Sequence, residues 1–72
     1  MENKKYYVFR VHKKTGRKEY KLRKTLDYWV SAMSKARKEC WQFSRQGALG
    51  IVKHKQASYF GEYYEFGIEE VE

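Results

Sequence analysis

The chain contains no proline, a single cysteine, and no basic residue in its last seventeen positions. Without proline, the breaks between elements must fall to the five glycines, Gly16, Gly47, Gly50, Gly61 and Gly67. One cysteine, Cys40, excludes an intramolecular disulfide, so packing alone must hold the fold together, as in a reducing compartment. With His12 and His54 as the only histidines, it also falls short of a zinc set of ordinary spacing. No apolar run is long enough to span a membrane, and Met1-Glu2-Asn3-Lys4-Lys5 leads into a strand-like segment without an apolar signal region. These absences predict a cytoplasmic chain with no membrane partner. At 72 residues the chain suffices for one domain, residues 1–72, with little apolar surface to spare.

What is present favours a packed fold. Hydrophobic residues make up 42% and aromatics 18%, far too rich for a disordered basic tail. Residues 6–12 alternate, with Tyr7, Phe9 and Val11 on one side and Tyr6, Val8, Arg10 and His12 on the other, the signature of a strand. Lys13-Lys14-Thr15-Gly16-Arg17 then supplies a turn in which Gly16 can take positive φ, and residues 18–23 pair back as a second strand, turning Tyr20 and Leu22 inward.

From Thr25 the apolar spacing changes to three and four, through Leu26, Trp29, Val30, Met33, Ala36, Cys40 and Phe43. It predicts a helix over 25–46, capped by Thr25, with Asp27 near its start, Arg45 near its end and Gly47 just past it. A third strand over 48–55 and a fourth over 63–71 complete the pattern, the fourth turning Tyr64, Phe66 and Ile68 to one face. The expected class is α+β, in the order β-β-α-β-β, with one helix packed on one face of a mostly antiparallel sheet.

The residues of catalysis are missing as a set. No nucleophile with a neighbouring base, no opposed carboxylates and no metal cluster can be assembled, so the chain reads as a non-enzyme with no cofactor and no metal. Cys40 falls in the apolar helical stripe, where a buried thiol is inert. Gly47-Ala48-Leu49-Gly50 matches a GxxG pattern that clamps nucleic-acid backbones in some domains. Its central pair is Ala-Leu rather than basic, and the glycines read instead as a helix cap and a strand entry.

Charge carries the functional content. All sixteen Lys and Arg lie between Lys4 and Lys55, giving +12 over residues 1–55 and −5 over 56–72, for a net +7 and an isoelectric point near 9.6. Such a balance points to a polyanionic partner, nucleic acid (DNA or RNA) above all. Three groups of residues are candidates for it: Lys13, Lys14, Arg17 and Lys18 at the hairpin; Lys35, Lys38, Gln42 and Arg45, with Ser31, on the outer helix face; and Lys53 and Lys55 flanking His54. A further basic surface is expected from outward-facing Arg10, His12, Lys21 and Arg23 on an open sheet, with Tyr6 as a stacking platform, unless Glu65 and Glu69 pair with those bases.

Tyr59, Phe60 and Tyr63 exceed what one short strand needs for its core, and Trp41 stands at the edge of the helical stripe; these four are the candidate protein interface. Two readings follow. The favoured one is a small nucleic-acid-binding module making mainly phosphate contacts, in a regulatory or accessory role. The alternative is a protein-interaction module, a homodimer or the binder of a larger partner, with its charge serving solubility or an acidic partner.

Overall fold

The computed structural model describes residues 4–32 and 38–71. Four strands, β1 (Tyr6–His12), β2 (Lys18–Lys21), β3 (Trp29–Ser31) and β4 (Tyr64–Glu70), form one antiparallel sheet in the order β3-β2-β1-β4. Among the described residues one α-helix, α1 (Arg45–Gln56), lies between β3 and β4 in the chain and is followed by a short 3-10 turn, Tyr59–Glu62. The α+β class, with one helix on one face of an antiparallel sheet, is therefore as expected.

The element order is not. Residues 25–46 do not form one helix: residues 23–26 bend, β3 pairs with β2 through Tyr20↔Val30, and Phe43 bridges Tyr6 where β2 has left the sheet. Of that predicted helix, residues 33–37 lie outside the described residues. The predicted third strand over 48–55 is helical, because Ser44 rather than Thr25 is the cap and its hydroxyl accepts the Gly47 N–H at 3.1 Å. From that start Ala48, Ile51 and Val52 fall on one face and dock on the sheet, while Lys53, His54 and Lys55 complement the C-terminal end of the helix dipole.

Alternation in β1 feeds two cores, one on each side of the sheet. Val8, fully buried, joins Phe43 and Ala48, with Tyr6, Trp29, Ile51, Val52 and Ile68 around them beneath α1. Tyr7 and Tyr20 pack with Cys40 on the opposite face, ringed by Phe9, Leu22, Val30, Ala32 and Val71. Cys40 is thus buried as expected, and burial, with the nearby Glu39 charge, raises its thiol pKa.

The hairpin between β1 and β2 is closed by the His12 N–H to the Arg17 carbonyl at 2.9 Å and the Gly16 N–H to the His12 carbonyl at 2.7 Å. Gly16 has φ 75°, the left-handed region that the turn reading required. The His12 Nδ1 accepts from both Lys14 and Thr15 backbone N–H groups at 3.2 Å, so the imidazole caps the turn from inside.

Candidate nucleic-acid interface

The cations of the sheet are matched. Arg10 is clamped between two rings, its guanidinium carbon 4.4 Å from the Trp29 centroid and 4.2 Å from that of Tyr64, while its nitrogens meet Glu19 Oε1 at 2.9 Å. Lys18 lies 3.2 Å from Glu69 and 4.4 Å from the Phe9 ring centroid, and Tyr20 donates to the same carboxylate at 2.8 Å. Partial burial works against the Lys18 charge, but the hydrogen bonds to Tyr20 and Glu69 outweigh it and raise its pKa. Lys4 pairs with Glu70 at 3.4 Å.

The predicted basic surface on an open sheet is absent for a physical reason. Arg10, His12 and Lys21 share the face that α1 covers, Tyr6 is packed into the core there, and Arg23 is exposed in the segment after β2. Glu69 neutralises Lys18 rather than Arg10, Lys21 or Arg23.

Lys21 is buried and donates from Nζ to the Leu26 carbonyl at 2.8 Å. Burial pulls its pKa down; Asp27 opposes the shift, and the Lys55 and Arg10 charges add to it. Asp27 accepts the Trp29 indole N–H at 2.7 Å and faces Lys55 at 3.4 Å. The indole hydrogen bond chiefly holds its carboxyl below the ordinary value, against some desolvation and with help from Lys55 and Lys21. Between this loop and α1 runs a groove of about 420 Å³ reached by Lys21, Lys24, His54 and Lys55. The sequence could not reveal it, since it depends on residues 46–55 being helical. Candidate Lys55 therefore belongs to this internal pairing, not to a free patch.

A second group of cations faces solvent. Lys13, Lys14 and Arg17 stand exposed at the hairpin tip, and among the described residues no carboxylate comes within ion-pair distance of Lys13 or Lys14. Arg17 reaches Glu19 only at 3.9 Å, with two-thirds of its side chain in solvent. At the root of the tip, a depression of about 330 Å³ is lined by Arg10, His12, Thr15, Arg17, Glu19 and Tyr64. Lys53 is exposed near the C-terminal end of α1, and Arg45 is exposed in its first turn rather than in the last turn of an earlier helix.

The expected outer helix face does not exist as a face. Ser31 ends β3, Lys38 and Gln42 are exposed in the connection before α1, and Lys35 lies outside the described residues.

Tyr59, Phe60 and Tyr63 form one exposed cluster, with relative exposures of 67%, 40% and 43%. Tyr59 stands 5.9 Å from Phe60 and 5.2 Å from Tyr63 between centroids, and the two tyrosine hydroxyls are 3.1 Å apart. That hydroxyl contact, with Glu62 nearby, raises the Tyr63 pKa.

The sequence holds this cluster in place by two devices. The Gln56 side chain donates to the Gly61 and Tyr64 carbonyls at 3.3 and 3.0 Å and accepts the Phe66 N–H at 3.0 Å. Gly61 is buried so tightly that a Cβ there would fall 1.9 Å from the Gln56 carbonyl oxygen. The Lys13 N–H donates to the Tyr63 carbonyl at 2.9 Å, which sets Tyr63 beside the hairpin tip. Trp41 stands apart: its N–H bonds to the Leu22 carbonyl at 3.0 Å, past the far end of β2, with Lys24 5.9 Å from its ring centroid.

Among the described residues no group of three or more His, Cys, Asp or Glu is placed to hold a metal, and no helix is long and apolar enough to cross a membrane. The chain matches no protein-family model, no curated protein and no solved structure.

Proposed function

We propose that the protein is a small nucleic-acid-binding module that makes mainly phosphate contacts through the tip of its β1–β2 hairpin. The observation that carries this reading is the contrast in charge pairing: Arg10 and Lys18 of the sheet are paired with carboxylates within the fold, while Lys13, Lys14 and most of Arg17 are presented to solvent. A cluster of bases held on a closed turn suits the positioning contacts that sequence-independent binding makes with a phosphate backbone. Lys53, near the C-terminal end of α1, is a further exposed base. The net charge of +7 supplies the long-range attraction.

The test is an NMR titration at low salt with a short DNA duplex and, separately, a single-stranded RNA. Amide shifts confined to residues 13–17 and their surroundings are the expected result. Absence of shifts with both ligands would remove the reading. The alternative, a protein-interaction module, draws on the exposed cluster of Tyr59, Phe60 and Tyr63. It requires a concentration-dependent dimer in sedimentation or a specific bound partner, lost on Tyr63→Ala.

A further inference from the structure

Resting on the nucleic-acid reading above, we infer that Tyr59 and Tyr63 are a base-stacking surface and that the ligand is single-stranded. Three observations lead there. First, Tyr59 and Tyr63 are exposed beyond the needs of the core, and their hydroxyl contact at 3.1 Å holds them as one unit. Phe60 is occupied differently, with Lys55 Nζ 5.3 Å from its ring centroid. Second, the surface is fixed: the Gln56 amide ties the 3-10 turn to β4, and buried Gly61 packs on the end of α1. Preorganised rings bind a flat partner without first losing their own freedom.

Third, Tyr63 adjoins the hairpin tip that carries the exposed cations, the Lys13 backbone N–H donating to its carbonyl at 2.9 Å. Rings beside bases match a ligand that carries flat aromatic faces and phosphates in alternation along one chain. A duplex offers only its phosphates here, because its base faces are stacked inside. A protein partner could use the rings, but it supplies anions to Lys13 and Lys14 only where carboxylates happen to fall, whereas a nucleic-acid strand carries one at every nucleotide. The acids nearby set the path of the strand. Glu62 lies exposed on the 3-10 turn, and Glu65 projects from the other face of β4 opposite Val11. Both repel phosphate, so the backbone tracks over the hairpin side of the rings and the bases turn in onto Tyr59 and Tyr63.

The experiment is fluorescence anisotropy at fixed salt with three labelled probes: an oligothymidylate, a duplex of equal length, and an abasic oligonucleotide of equal length. The wild-type protein is compared with Tyr59→Ala/Tyr63→Ala and with Tyr59→Phe/Tyr63→Phe, each checked for folding by circular dichroism. The wild type should prefer the oligothymidylate over both other probes. The alanine pair should weaken that binding by about tenfold or more, at the scale of one or two lost base–ring contacts. Duplex affinity should be unchanged, and the phenylalanine pair, which keeps both rings but loses the hydroxyl contact between them, should keep the preference for the oligothymidylate with a much smaller loss than the alanine pair.

Equal affinity for duplex and single strand, or an alanine pair that binds the oligothymidylate unchanged, overturns the inference while leaving phosphate binding intact. No binding to any probe overturns both readings. A wild-type dimer that the alanine pair abolishes, with no change in oligothymidylate affinity, assigns the rings to a protein contact and overturns the inference too.

Discussion

Arg10 and Arg17 belong to the same hairpin and address the same carboxylate, Glu19, yet they are different kinds of charge. Arg10 has 15% of its side chain exposed, meets Glu19 at 2.9 Å and lies between two aromatic rings; Arg17 has 67% exposed and reaches Glu19 only at 3.9 Å. The difference extends to the regions around them. In the body of the sheet, positive charge is part of the packing, matched by Glu19, Glu69 and aromatic faces. At the hairpin tip it is held out on a closed turn, and among the described residues only Arg17 reaches a carboxylate, Glu19 at 3.9 Å. A count of Lys and Arg cannot distinguish these roles, because one serves the fold and the other is available to a ligand.

Breaking the body should produce the largest change in stability. Arg10→Ala removes both ring contacts and leaves Glu19, itself only 15% exposed, with the distant Arg17, so a loss of about 2–3 kcal/mol is expected. Urea denaturation reads it as a lower midpoint at an unchanged slope. Nucleic-acid affinity, measured where the variant is folded, should stay at the wild-type value.

A loss of about 1–2 kcal/mol is expected for Gln56→Ala, which deletes the side chain joining α1, the 3-10 turn and β4. Here the two regions couple: hydrogen exchange should quicken at 59–63 more than in β1, sharpening the view that the rings are positioned from α1.

Asp27 gives a smaller, pH-dependent effect. Its folded-state pKa is depressed, so its contribution is fully present above the unfolded value of about 4 and is lost as pH falls through the folded one. Solvent screening of this half-exposed group keeps the contribution small. Comparing urea midpoints of wild type and Asp27→Asn from neutral pH downward should show a gap that closes in acid. A gap that widens there would contradict the assignment.

The hairpin and β4 were readable in the sequence because each has a period of two and a clear break. Tyr6 to His12 matches β1, Gly16 has the positive φ its position required, and β4 starts one residue inside the expected range. The middle of the chain misled for two physical reasons. β3 has only three residues, too short for alternation to register, and Trp29 and Val30 fit a helical spacing as well as a strand. α1 carries Gly47 and Gly50 among its first six residues, each costing a helix about 1 kcal/mol relative to alanine, so its propensity is concealed. Docking of Ala48, Ile51 and Val52 on Val8 and Ile68 offsets that cost, and tertiary packing is not visible as a local signal.

The candidate site was half legible for the same reason. Lys13, Lys14 and Arg17 needed only the turn, and the turn was clear. That Tyr63 would sit beside Lys13 needed the pairing of β1 with β4, which no local pattern announces. Lys18 and Lys55 had the composition of ligand-binding residues but not their freedom, since Glu69 and Asp27 occupy them.

The smallest expected change in stability belongs to the variant with the largest expected change in binding. Lys13→Ala/Lys14→Ala/Arg17→Ala alters only exposed side chains, and its stability should stay within about 0.5 kcal/mol of wild type. The decisive measurement is the dependence of log affinity on log salt for this variant and the wild type, using single-stranded oligonucleotide. With a slope of about 0.7 per neutralised phosphate on a single strand, removing three contacts should flatten it by about 2 and weaken binding sharply at low salt. An unchanged slope and affinity would show that the hairpin tip does not touch phosphate, contradicting the account at its centre.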